Sequence, residues 1–274
     1  MKNRLWGPFC LLPNCRLWLA EGPESISSTE AAPHWELFEA SLTERDRERL
    51  KRYRPFQKKR QFLNSRLAVR DVLRREFEID SAHVFMDTTE SGQPILLNGQ
   101  GRPYASISLS HTDKLTAIAI SNNLNGPGID IEVVQPLNTR AFSLSFLNQA
   151  EKDWMADERI LDDQHAMLIA WTLKEAFWKA LGGPQKMGSG NITTEYSDKC
   201  LTINVGCMDG NMRPIATHFF GHQFVAPVEL KNFTSIDGLE SDVSSFVGCI
   251  VLVSTEFKEG YGASDDGSSN ARVQ

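Results

Sequence analysis

Trp171-Thr172-Leu173-Lys174-Glu175-Ala176-Phe177-Trp178-Lys179-Ala180-Leu181-Gly182 reads as a helix with two tasks. Ile169, Thr172, Leu173, Ala176, Phe177, Ala180 and Leu181 recur at three- and four-residue steps and form one buried stripe. Glu175 and Lys179 stand one turn apart on a flank of that stripe, with Trp171 a turn before Glu175. Gly182-Gly183-Pro184 closes the helix, because glycine accepts the left-handed cap and proline cannot continue the turn. Taken alone, Glu175 and Lys179 are an ordinary surface ion pair. A second acidic pair upstream changes that reading.

Asp130 and Glu132 lie in Gly126-Pro127-Gly128-Ile129-Asp130-Ile131-Glu132-Val133-Val134, an alternating strand that follows a turn signal. Residues two apart share a strand face, so both carboxylates point one way while Ile129, Ile131 and Val133 point into the core. Adjacent like charges destabilise a strand unless a cation lies between them. A hard divalent ion held by carboxylates, phosphate oxygens and water would supply it. A solvated polar face accounts for the two residues equally well.

The 274 residues are 41% hydrophobic and 23% charged, enough for one large or two modest domains with real cores. Five cysteines without a C-x-x-C spacing, and histidines without ligand spacing, argue against a disulfide framework and against zinc; a reducing cytoplasm is the expected compartment. Pro8, Pro13 and Arg16 break the apolar N-terminal run, so neither a membrane span nor a secretion signal is expected. Net charge is −6, yet residues 45–75 carry thirteen Lys and Arg against Asp46, Glu48 and Asp71. This excess looks one-sided and poorly paired, which favours an anionic ligand or partner over a merely solvated helix face.

Along the chain, Leu5–Phe9 and Leu17–Ala20 read as strands, followed by a helix capped by Ser41 or Thr43 and running to Arg54-Pro55. A second helix covers about Lys58–Phe77. Tyr104–His111 and Leu115–Ser121 form a hairpin, and residues 122–128 are the candidate boundary. After the Asp130 strand come helices near Thr139–Leu147 and Gln149–Ala156, the long helix Asp162–Leu181, and strands at Ile192–Thr194, Leu201–Val205, Ile215–Phe220, Phe224–Val228 and Val247–Val253. The fold class is α+β, in two similar halves: 1–123 with the basic helices and 124–257 with the acidic site, then a tail, 258–274, that reads as disordered.

The ordered set of motifs resembles the paired signature of the 4′-phosphopantetheinyl transferases. Gly128-Ile129-Asp130-Ile131-Glu132 followed by Trp171-Thr172-Leu173-Lys174-Glu175-Ala176-Phe177-Trp178-Lys179 carries the likeness. Ser108-Leu109-Ser110-His111 is similar to the family's Ser-His element, Asn64–Leu73 to its arginine-bearing helix, and Gly92-Gln93-Pro94 to its Gly-Lys-Pro turn. Size and the two halves resemble the broad-specificity Sfp type.

The resemblance implies a pseudo-twofold pair of α+β halves with coenzyme A and Mg²⁺, or Mn²⁺, in the cleft between them. It implies transfer of the phosphopantetheine arm of coenzyme A to a serine of an apo acyl or peptidyl carrier protein, releasing 3′,5′-ADP. Asp130, Glu132 and Glu175 would be the metal ligands, Glu175 the base, and Lys179 the group that neutralises the departing phosphate. Ser110, His111, Arg49 and Arg60 would touch the nucleotide phosphates. Gln93 replaces a frequent Lys and would make one neutral phosphate contact; Asp46 lies near a position often basic. Trp171 reads as packing, and Thr172 as a stripe-edge residue without a chemical role. A monomer without nucleic-acid or membrane partners is expected. The competing readings are a nucleic-acid binder using helices 45–75, a Mg²⁺-dependent phosphohydrolase, and an inactive carrier-binding homologue.

Overall fold

The computed structural model describes residues 4–22, 42–78, 84–89, 93–121, 126–157, 163–182, 192–197, 200–205, 216–224, 232–239 and 243–252. The expected tail at 258–274, most of the expected strand at 224–228 and residues 122–125 of the expected boundary lie outside them.

Strands β1 (Arg4–Leu12) and β2 (Cys15–Glu21) contain the two expected N-terminal strands. Helix α1 (Glu44–Arg52) is capped by Thr43, whose hydroxyl accepts the Asp46 N–H at 3.1 Å. Helix α2 (Phe56–Glu76) begins directly after Pro55, where a missing N–H costs no helical bond. β3 (Val84–Thr88), β4 (Pro94–Asn98), β5 (Pro103–His111) and β6 (Leu115–Ser121) complete an antiparallel six-stranded sheet in the order β1-β2-β6-β5-β4-β3. The β3–β4 pair went unread in the sequence.

The second unit starts with β7 (Pro127–Val133) and continues through α3 (Thr139–Phe146), α4 (Gln149–Asp157) and α5 (Gln164–Leu181). Beyond a hairpin of β8 (Ile192–Ser197) and β9 (Cys200–Val205) come β10 (Ala216–His222), β11 (Phe233–Ser235) and β12 (Phe246–Leu252). Its sheet runs β11-β10-β12-β7, with β10 and β11 parallel and the other pairs antiparallel. The architecture is α+β, as expected.

Alternation along the strands sets the layers. Cys15, Leu17 and Leu19 of β2 and Ala117 and Ala119 of β6 meet Ile129 and Ile131 of β7 and Ile250 of β12. Trp18, Ala20, Ile118 and Ile120 face the other way, onto Ala68, Val69 and Val72 of α2. The two sheets therefore lie face to face, and β6 is buried along its whole length. The other face of the second sheet, Val247, Cys249 and Val251, packs under Leu173, Ala176, Phe177 and Ala180 of α5.

Gly128 permits a very close approach. A Cβ there would stand 1.7 Å from the Ala176 carbonyl oxygen and 2.5 Å from the Ala180 nitrogen, so the α5 backbone rests directly on β7. In the sequence this glycine reads as the end of a turn signal and the first residue of the motif Gly128–Glu132. Its effect is to bring the strand that carries Asp130 and Glu132 within side-chain reach of the helix that carries Glu175 and Lys179.

Lys174 was not read as a core residue, yet it and Glu151 are fully buried, joined at 2.6 Å. Its ammonium also donates to the Phe146 carbonyl at 2.8 Å and lies 5.6 Å above the Phe146 ring. Glu151 in turn accepts the Asn148 N–H, so the pair ties α5 to the α3–α4 corner. Breaking one member of a buried pair strands the other charge. Lys174→Met should therefore lower unfolding free energy by about 3–5 kcal/mol in urea titrations. The Lys174→Met/Glu151→Leu double variant should recover most of that loss; an equally unstable double variant would show that packing, not charge, is what the pair supplies.

Candidate active site

The site is built where the edge strand β7 meets β5 of the other sheet. An edge strand presents N–H groups that need partners. Ser108 Oγ accepts the Ile129 N–H at 3.1 Å and Ser110 Oγ accepts the Ile131 N–H at 3.3 Å. Two buried serines thus occupy the face of β5 that would otherwise be apolar. Ser110 also donates to Asp130 Oδ1 at 2.8 Å, holding the carboxylate that follows from the strand alternation.

Asp130 Oδ1 receives a second donor, the cationic Lys179 Nζ at 2.7 Å, which crosses from α5. The carboxylate is almost entirely buried, while the lysine side chain keeps 29% of its surface open. Glu132 Oε1 accepts the Trp171 indole N–H at 2.8 Å. Trp171 is packed among Phe142, Phe146 and Trp178, so the indole is a rigid support for Glu132 as well as a packing residue. Thr172 is fully buried, its hydroxyl returned to the Leu168 and Ile169 carbonyls within its own helix; it lies inside the stripe rather than at its edge.

The carboxyls feel one another. Burial raises Glu132 above its ordinary range, Asp130 adds to the rise, and the Trp171 bond and Lys179 offset part of it. Burial also raises Glu175; Lys179 pulls it back and Asp130 pushes it up again. Beneath them Cys249, the register partner of Asp130 on β12, is held as a neutral thiol by burial and by that charge.

A carboxyl whose folded pKa exceeds its unfolded value binds more protons when folded, so stability falls as pH rises through that window. Glu175→Gln removes this titration. In chelator, the variant should melt about 2 °C above wild type at pH 8, with the gap closing towards the unfolded carboxyl value near 4.3. A variant that melts below wild type at pH 8 would mean that Lys179 makes the Glu175 anion a net stabiliser.

Asp130, Lys179 and Ser110 are in direct contact, with Glu132 and Glu175 in Coulombic range. Among the described residues no three His, Cys, Asp or Glu form a ready metal cage; the Lys179 ammonium supplies the positive charge on Asp130 instead. One atom nonetheless suits a cation: Asp130 Oδ2 is buried and has no hydrogen-bond partner. With hard oxygen donors on β7 and α5, the residues fit a magnesium-type ion.

His111 ends β5 at the mouth of the site. Crowding by the cleft walls, then the charges of Lys179 and Lys58, push its imidazole down to about 4, although the residue keeps an open face to solvent. It separates two hollows. One, about 460 Å³, lies on the Glu132 side with Gln61, Lys114, Val133 and Phe246. The other, about 340 Å³, is walled by Arg49, Tyr53, Lys58, Arg66 and Thr88.

The basic segment is better paired than its composition suggested. Asp46 is buried against Arg66 at 2.9 Å, so this departure from the expected basic residue is an internal counterion. Arg45, Arg47, Lys51, Arg74 and Arg75 also face carboxylates. Arg49 donates to Thr88 at 2.8 Å and to Tyr53 at 3.3 Å, on the wall of the second hollow. Arg60 makes a long 3.4 Å bond to the Asp113 carbonyl, and its buried Nε has no partner. Neither arginine bonds to the acidic cluster among these contacts.

Comparison with known proteins bears on the chain as a whole. The profile described as 4′-phosphopantetheinyl transferase superfamily matches residues 126–201, and that described as 4′-phosphopantetheinyl transferase, N-terminal, matches 29–123. The 4′-phosphopantetheinyl transferase Sfp of Bacillus subtilis (strain 168) is 25% identical over 148 residues, which are 54% of this chain and 63% of that protein. The alignment therefore spans less than two thirds of that relative's length.

Proposed function

Because the chain belongs to the 4′-phosphopantetheinyl transferase superfamily, of the Sfp-like type, we propose that it moves the phosphopantetheine arm of coenzyme A onto a serine of a carrier protein. The observation that carries this reading is the Asp130–Lys179 contact between β7 and α5, flanked by Glu132 and Glu175 and opening past His111 onto a basic wall.

In this reading the serine oxygen bonds to the phosphorus that bears the pantetheine, and the bond from that phosphorus to the bridging oxygen breaks. The arm stays on the carrier and 3′,5′-ADP leaves. Such a step needs charge neutralisation and an in-line hydroxyl more than covalent help. Asp130, Glu132 and Glu175 are the residues that would hold Mg²⁺ or Mn²⁺. Bound there, the ion would supply Lewis-acid neutralisation of the diphosphate.

Glu175, raised above the ordinary carboxyl range, is suited to take the serine proton. Lys179, about 6 Å along the helix from Glu175, stands where departing phosphate charge would develop. His111, with its pKa lowered, is neutral at pH 7 and can donate one N–H to a phosphate oxygen. Arg49 and Lys58 on the neighbouring wall give the 3′-phosphate a counter-charge. Ser110 serves differently from the expected phosphate contact: its hydroxyl is engaged by Asp130 and Ile131, so it orients the carboxylate.

No helix among the described residues is long and apolar enough to cross a membrane. A phosphohydrolase would share the acids, Lys179 and the basic wall, and differs in having water in place of the carrier serine as nucleophile. Incubation with coenzyme A, Mg²⁺ and a panel of apo carrier domains, read by intact mass, tests the proposal. One carrier should gain the mass of one arm with matching release of 3′,5′-ADP. Nucleotide release with no carrier gaining mass would overturn it in favour of hydrolysis.

A further inference from the structure

We propose that Gln93 is a positioning residue that anchors the last turn of α5, and with it Lys179, onto the N-terminal half of the molecule. Gln93 Nε2 donates to the main-chain carbonyl of Lys179 at 2.9 Å across 86 positions of sequence. The same carbonyl accepts the Gly182 N–H at 3.2 Å, where the helix ends in a left-handed glycine cap. A carbonyl in a final helical turn has lost its i+4 intrahelical partner, and here two other donors satisfy it.

The glutamine is itself held firmly. Its carbonyl accepts the Thr89 N–H at 2.8 Å and its own N–H donates to Thr89 Oγ1 at 3.1 Å, tying it to the residue that follows β3. Pro94 follows at once and opens β4, fixing the chain direction. Gln93 is therefore held to the end of β3 by two hydrogen bonds, and its side-chain amide meets the backbone of the residue whose side chain reaches Asp130.

This differs from what the likeness to a Gly-Lys-Pro turn suggests. A lysine there would offer a charge to a phosphate; the amide here is engaged with the opposite half. Lys179 gains from such a support because its carbonyl lies in the last turn of the helix while its ammonium must stay within hydrogen-bond distance of a buried carboxylate.

The test uses Gln93→Met, which keeps the length and removes the donor, and Gln93→Glu, which keeps the shape and replaces the donor with an acceptor. Amide exchange of the peptide covering 176–182, followed by mass spectrometry in the absence of substrates, reads the anchor directly. Exchange in both variants should be about threefold faster than in wild type, while the melting temperature moves little. Steady-state transfer, which rests on the proposed activity, should show kcat about tenfold lower with the KM for coenzyme A within twofold.

Unaltered exchange at 176–182 overturns the anchor whatever the kinetics do. A raised KM at unchanged kcat, or no change in either, overturns its service to Lys179 and, in the first case, makes Gln93 a nucleotide contact. If wild type transfers no arm at all, the transferase reading fails and the exchange arm still decides the anchor.

Discussion

Asp130→Asn is expected to lower the proposed arm transfer roughly 10³-fold while the protein still folds. The carboxylate is the convergence point of the site: Oδ1 receives Ser110 and Lys179 together, and Oδ2 is buried with no partner. An amide keeps the shape but loses the negative charge that holds Lys179 and would draw a divalent ion between β7 and α5. It also introduces an NH₂ group that either faces the lysine or takes the place of the unpartnered oxygen. Stability should change by no more than about 1 kcal/mol, because Lys179 is partly exposed and can turn towards water. A second measurement separates charge from geometry: millimolar Mg²⁺ should raise the melting temperature of wild type and leave that of the variant unmoved. Transfer at wild-type rate by Asp130→Asn would remove this residue from the centre of the site.

Much of this was legible from short-range pattern, and the exceptions share a cause. Alternation placed Ile129 and Ile131 in the core and both acids on one face, because strand side chains have a period of two; Val133, expected in the core with them, is half-buried on the wall of the hollow beside Glu132. The spacing of Glu175 and Lys179 placed them on one flank of α5 for the equivalent helical reason. What pattern did not show were contacts set by the other half of the fold. Ser108 and Ser110 looked like strand polarity or a phosphate element; their roles follow from β7 being an edge strand, which depends on sheet order. Lys174 falls outside the apolar stripe, and its burial depends on a partner, Glu151, that lies on another helix. Trp171 looked like packing because its indole bond goes to a strand 39 positions away. Gln93 looked like a weakened phosphate ligand because nothing near it in sequence announces the end of α5. For Ser108, Ser110 and Lys174 the missed signal was a polar side chain in a place where burial demands a partner; Trp171 and Gln93 are half-buried, and their bonds follow from the neighbouring element alone.

Gly128→Ala tests the frame that brings these groups together, and its effect should be large for so small a change. Its added methyl would fall 1.7 Å from a backbone carbonyl oxygen and 2.5 Å from a backbone nitrogen. Neither neighbour is a side-chain tip that can rotate aside, so α5 must lift off β7 or the strand must bend. Overpacking of this kind costs about 1–3 kcal/mol. Displacing α5 by an ångström also moves Glu175 and Lys179 away from Asp130, and misplacement on that scale lowers rates by about 10²-fold. The expected result is therefore a double loss, in unfolding free energy and in kcat, from a residue that touches no substrate. Gly248→Ala is the informative companion: its methyl meets the Phe220 ring at 2.4 Å on the opposite side of the sheet, so it should destabilise by a comparable amount while leaving α5 in place. If Gly128→Ala and Gly248→Ala lose activity only in proportion to the fraction unfolded, the close approach of strand and helix is a packing feature alone. A loss of kcat in fully folded Gly128→Ala protein, absent from Gly248→Ala, would instead tie catalysis to the strand–helix separation, since at Gly128 there is room for a hydrogen and for nothing larger.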